Sequence, residues 1–151
     1  MSVEKKWKHY SDEHGIDVTF EALDTSFRVV DYFEGLDYVP NDVGYHVLNR
    51  MSSISDNWIG YLHQLLMPNP KSMIAASEAD VVTEETEDIS HAIDTLRLFR
   101  SQVTLAHLTR NDAKTAQLVE EGYGMWMDTK PFLIKIANSI VSYWEEEKNG
   151  Y

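Results

Sequence analysis

Residues 89–106, ISHAIDTLRLFRSQVTLA, decide the fold. Ile89, Ala92, Leu96, Phe99, Val103 and Ala106 recur there at steps of three and four. An α-helix turns once in about 3.6 residues, so these side chains share one face. Residues 47–65, VLNRMSSISDNWIGYLHQL, repeat the pattern through Val47, Met51, Ile54, Trp58, Tyr61 and Leu65. Strictly alternating steps make the seam of packed antiparallel or coiled helices. The chain therefore reads as all-α: a four- to five-helix antiparallel bundle, one domain over residues 1–151, with an irregular N-terminal segment and a mobile connection near 68–82.

Punctuation residues set the expected boundaries. Phe20, Leu23, Phe27, Val30 and Phe33 predict a helix over 19–34, stopped by Gly35, which tolerates the left-handed conformation. Pro40, Asn41 and Asp42 make a turn, and either Asn41 or Asp42 caps a helix over 43–67. Met67-Pro68-Asn69-Pro70 ends it, because proline cannot continue the hydrogen-bond ladder. Thr83 reads as the N-cap of a helix over 83–109, with Glu84, Glu85 and Glu87 in a first turn where the helix dipole favours acids. Arg110-Asn111-Asp112 reads as a break or kink, and helix resumes to about 121. Gly122-Tyr-Gly-Met-Trp-Met reads as a flexible joint, and Asp128 or Thr129 as the cap of a last helix. That helix carries two apolar stripes, one with Leu133, Ile136, Ile140 and Tyr143, the other with Ile134, Ala137, Val141 and Trp144. Apolar residues on two faces place it centrally.

Charge narrows the function. The chain carries 25 acids against 13 bases, a formal net charge of -12. An acidic surface repels phosphate backbones, which argues against direct nucleic-acid binding. It suits solubility, or docking onto a basic partner. Lys5, Lys6 and Lys8 interleave with Trp7 and Tyr10, but the patch is short, and packing of Trp7 on the body is the favoured reading. No cysteine is present, which removes disulfides, thiolate metal sites and cysteine nucleophiles and fits a reducing compartment. No run is apolar enough to span a bilayer and the start does not resemble a secretory signal, so the expected location is cytoplasmic.

The densest set of potential ligands is Glu84, Glu85, Glu87, Asp88, His91 and Asp94. Asp88 and His91 stand three apart, the spacing of carboxylate–histidine pairs in di-metal bundles. A metal alternative on Glu84, Glu87, Asp88 and His91 would make a hydrolase or nucleotide pyrophosphohydrolase. It lacks matching ligands on other helices, and acids at a helix start are explained by the dipole alone. His46, His63 and His107 lie on expected helices, where a single histidine is more often a hydrogen-bonded boundary residue than a haem ligand or a catalytic base. No nucleophile elbow, P-loop or dinucleotide fingerprint occurs. No cofactor is expected.

The reading that follows is a non-enzymatic interaction protein that binds and inhibits, neutralises or chaperones a basic protein. Asp80, Glu84, Glu85, Glu87 and Asp88 would supply the attracting field. Tyr123 and Trp126 would anchor the partner, unless Trp126 plugs one end of the core. A structural homo-oligomer, such as a homodimer through the seams, is the remaining class.

Overall fold

The computed structural model describes residues 1–150. Among them are seven α-helices, one 3-10 turn and no strand. The helices are α1 (Val3–His14), α2 (Phe20–Phe27), α3 (Val29–Glu34), α4 (Val43–Leu66), α5 (Met73–Val81), α6 (Thr86–Thr109) and α7 (Asp112–Asn149). No helix is long and apolar enough to cross a membrane.

Three long helices build the core. α4 and α6 run antiparallel: Tyr45 packs on His107, and Arg100 Nη1 lies 2.7 Å from Asp56 Oδ1. α7 reverses direction again, so that Phe99 meets Gly122 while Asp88 and Ala92 share a cleft with Phe132. All six residues of the 89–106 seam are buried. The α4 seam is shifted. Val47, Met51 and Leu65 are buried, but Ile54, Trp58 and Tyr61 lie at the edge. Ser55, Ile59 and Leu62 take the centre, and the buried Ser55 hydroxyl is satisfied by donating to Met51 O at 3.0 Å.

The expected joint at 122–127 does not exist. α7 is continuous for 38 residues, about 57 Å at 1.5 Å per residue. Its buried row explains why. Val119, Gly122, Trp126, Leu133, Ile136 and Ile140 are buried, and half-buried Thr129 fills the remaining step. From 119 to 140 the steps alternate three and four without a fault, making a third seam that carries the helix through Pro131. That proline sits on the exposed side, where only the helical bond to the Met127 carbonyl is forfeited. Asp128 and Thr129 are therefore interior helical residues; the Thr129 hydroxyl donates to Met125 O at 2.8 Å.

Gly122 is a close approach. A β-carbon there would fall 2.5 Å from Phe99 Cε1 and 3.0 Å from Met51 Cε. Its missing side chain lets α4, α6 and α7 meet around the Phe99 ring. Gly124, two residues on, faces open space.

Other boundaries also move. The helix expected over 19–34 is split at Arg28, which is left-handed at φ 52. Asp24 organises the break, accepting from Arg28 N through its carbonyl and from Val30 N through its carboxylate. The register slips by one, so Val29 rather than Val30 is buried. Gly35 ends α3 with ordinary right-handed angles (φ -73), so its left-handed tolerance is unused. The N-terminal segment expected to be irregular holds α1, capped by Ser2. Trp7 on α1 is 1% exposed, and its indole N–H donates to Val18 O at 3.0 Å. Lys6 is occupied holding Val39 O, Pro40 O and Asn41 Oδ1. The connection expected to be mobile over 68–82 contains α5, capped by Ser72 accepting from Ala75 N. No residue of α5 is fully buried, so it carries no apolar period to read. Thr83 opens the 3-10 turn Thr83–Glu85 instead of capping a helix. Arg110 is a true break, left-handed at φ 49, and Asn111 caps α7 by accepting from Lys114 N.

Alanine substitution separates the two glycines of α7. Gly122→Ala is expected to lose stability in urea melts, since overpacking against a boxed-in ring costs about 1–3 kcal/mol and helix propensity returns at most about 1 kcal/mol. Gly124→Ala is expected to gain up to about 1 kcal/mol. Equal shifts would mean that α7 is not seated on Phe99. Phe99→Ala is expected to cost about 3–5 kcal/mol.

Candidate interaction surface

α7 buries one face only. Leu133, Ile136 and Ile140 enter the core, while Ile134, Val141 and Trp144 of the second stripe are exposed. This corrects the expectation of a helix covered on both sides. α5 lies beside the exposed stripe, antiparallel to α7. Val81 shares a groove with Pro131, Ile134 and Tyr143, and Glu78 Oε2 accepts from the Trp144 indole at 3.3 Å. The groove has a volume of about 740 Å³. Polar Asn138, Ser139 and Ser142 line it as well.

The expected acidic residues surround the same end of the molecule. Asp80, Glu84, Glu87 and Asp88 are exposed. Glu85 is half-buried, with its Oε1 3.8 Å from Lys135 Nζ, so the 3-10 turn is tied to α7 at the groove. Glu146 lines the groove further along α7. Asp88 instead lines a separate cleft of about 450 Å³ between α6 and α7, beside its α6 neighbour His91 and with Asp128 on the α7 side.

The two aromatic anchors expected from sequence are placed differently. Trp126 is 5% exposed and packs on Phe27 with ring centroids 5.4 Å apart. It is a core residue and presents no surface to a partner. Its indole N–H has no protein acceptor. Tyr123 is half-buried and packs against the core. The exposed tryptophan is Trp144 at 38%. Its membership of the second stripe was visible in the sequence. Its exposure was not, because an unbroken apolar pattern on two faces looks the same whether or not the second face is covered.

The metal alternative gains one carboxylate from another helix, Asp128. Even so, no group of three or more His, Asp or Glu side chains among the described residues is placed to hold an ion. Glu84 and Glu87 point to solvent on their own turns. Calorimetric titration with magnesium, manganese or zinc is therefore expected to show no micromolar binding. Such binding, lost in Glu87→Ala and His91→Ala, would restore the hydrolase alternative. No family model, curated protein or solved structure matches this chain.

Proposed function

We propose that the protein is an acidic helical interaction module that captures a basic, amphipathic segment of a partner protein and so inhibits or shields it. The observation that carries this reading is the exposed row Ile134, Val141 and Trp144 on the outer side of α7, with Glu78 against Trp144, and beside it a groove that takes in Ile134, Glu146 and the Lys135 paired with Glu85. Apolar positions seven residues apart, with Trp144 three further, match the face of a partner helix laid in a groove. Nearby acids draw in basic side chains, and a tryptophan at the end of the row supplies area at low entropic cost. The antiparallel bundle serves as a rigid frame for that groove. The further acids Asp80, Glu84, Glu87 and Asp88 extend the negative field around it.

The test begins with the partner that co-purifies with the tagged protein, followed by surface plasmon resonance. Trp144→Ala is expected to speed dissociation about tenfold or more, as loss of an aromatic anchor does. Glu84→Gln with Glu85→Gln is expected to slow association at low salt and to matter less at high salt. Binding indifferent to salt and to Trp144→Ala would defeat the reading.

Self-association has its own supporting observation. The sequence seams are consumed inside the monomer, but α6 carries a different exposed row on its outer face, Leu98, Leu105 and Leu108. From residue 95 to 111 the chain has no acid and carries Arg97, Arg100 and Arg110. If this row joins two copies, sedimentation shows a concentration-dependent dimer that Leu105→Glu abolishes. A monomer at all concentrations rejects it.

A further inference from the structure

A second recess lies at the end of the bundle opposite the acidic groove. The last turn of α1, the start of α4 and the α6–α7 junction converge on it. Its volume is about 950 Å³, at the upper end of the range for small-molecule sites. Aromatic rings form its walls. Tyr45 lies over His107 with centroids 4.2 Å apart, and Tyr10 lies against His14 at 4.5 Å. The hydroxyl end of Tyr10 packs against the α4 backbone because position 44 is glycine; a β-carbon there would collide with the phenol.

Two polar atoms in this wall are buried without a partner, Tyr10 Oη and His107 Nε2. A buried polar group left unpaired costs about 1–3 kcal/mol, and folded proteins rarely keep two at one site without use. The neighbouring histidine does not share this state: His46 Nδ1 is 2.8 Å from Tyr32 Oη and its Nε2 is 3.4 Å from Asp42. Burial lowers the pKa of His107, which keeps its ring neutral and able to accept a hydrogen bond. Burial, with Asp112 and Glu13, pushes the Tyr10 phenol up to about 12, so it too stays neutral.

Charge selects the ligand. Glu13, Asp42 and Asp112 line the recess against a single arginine, Arg110, the left-handed residue that turns α6 into α7. The field of Asp112 and Glu13 reaches the Tyr10 phenol. Aromatic faces beside carboxylates favour a cation through ring quadrupole and Coulomb attraction together.

We propose that this recess binds a small organic ammonium ion, an arylalkylamine or alkylamine, whose N–H groups are accepted by Tyr10 Oη and His107 Nε2 between Asp112 and Glu13. Both acceptor atoms are sealed from solvent in the free protein, so binding requires the Tyr45 ring, 42% exposed and packed on His107, to move aside. The site is independent of the groove between α5 and α7.

A matched pair of probes tests the charge. Phenethylammonium and phenylacetate have nearly the same shape and opposite charge. In NMR titrations of the full chain, phenethylammonium is expected to shift the ring signals of Tyr10, Tyr45 and His107, and phenylacetate is expected to leave them unmoved. Tyr10→Phe is expected to weaken phenethylammonium binding about tenfold, the loss of one hydrogen bond to a charged group. The same variant is expected to melt no lower than the parent, since it deletes an unpaired hydroxyl. Three results overturn the proposal: no shifts at millimolar amine, phenylacetate binding as tightly as phenethylammonium, or undiminished amine binding in Tyr10→Phe.

Discussion

The close approach of α7 to Phe99 at Gly122 is the constraint on which the rest of the molecule depends. Three long helices can share one core only if their axes come near enough for side chains to interdigitate, and a bulky residue at the crossing would hold them apart. Here the crossing is filled from two sides, by the Phe99 ring and the Met51 methyl, and left empty on the third. With α7 seated there, Trp126 falls against Phe27 one turn later and ties the N-terminal helices to the bundle. Leu133, Ile136 and Ile140 then follow in register toward α5. The helix holds its course past a proline because packing on both sides outweighs one missing hydrogen bond.

The two ends of the bundle differ in chemistry because different kinds of segment close them. At one end α5 and a 3-10 turn cross over, contributing Glu78 and Glu85 beside the exposed apolar stripe of α7. At the other, the left-handed Arg110 makes a tight reversal into α7, while α1 lays Tyr10 across Gly44. The first end is open, lined by polar and apolar side chains together and flanked by acids, the form suited to a macromolecular segment. The second is walled by rings and holds unpaired buried atoms, the form suited to something small. A nearly featureless composition thus yields two surfaces of distinct character.

The acidic cluster at 84–94 shows how position changes meaning. In one dimension its spacings suggest metal ligands. In the fold Glu85 turns inward to Lys135, Asp88 lines the separate α6–α7 cleft, and Glu84 and Glu87 remain in solvent. A 3-10 turn precedes α6, so the three-residue spacing between Glu84 and Glu87 spans two different elements. Shared coordination needs three or more ligands converging on one point, and no such group occurs among the described residues.

The sequence by itself determined that the chain is helical and which face of α6 is buried, because a period of three and four is a property of local geometry alone. It also located the breaks at 40–42 and at 110–112, where proline or capping side chains act on their immediate neighbours. Tertiary structure decided the rest. Whether Gly122 is a joint or a contact depends on the presence of Phe99 across the gap, 23 residues away in the chain. The left-handed break at Arg28 carries no glycine to announce it; Asp24 and the burial of Val29 hold it. Which tryptophan is core and which is surface was equally undetermined, since Trp126 and Trp144 both sit on apolar helical stripes. Only the packing of Phe27 on one, and the incomplete cover that α5 gives the other, assigned them. The end recess gave no sequence signal at all, because Tyr10, Tyr45 and His107 come from three helices that meet only when the bundle is closed.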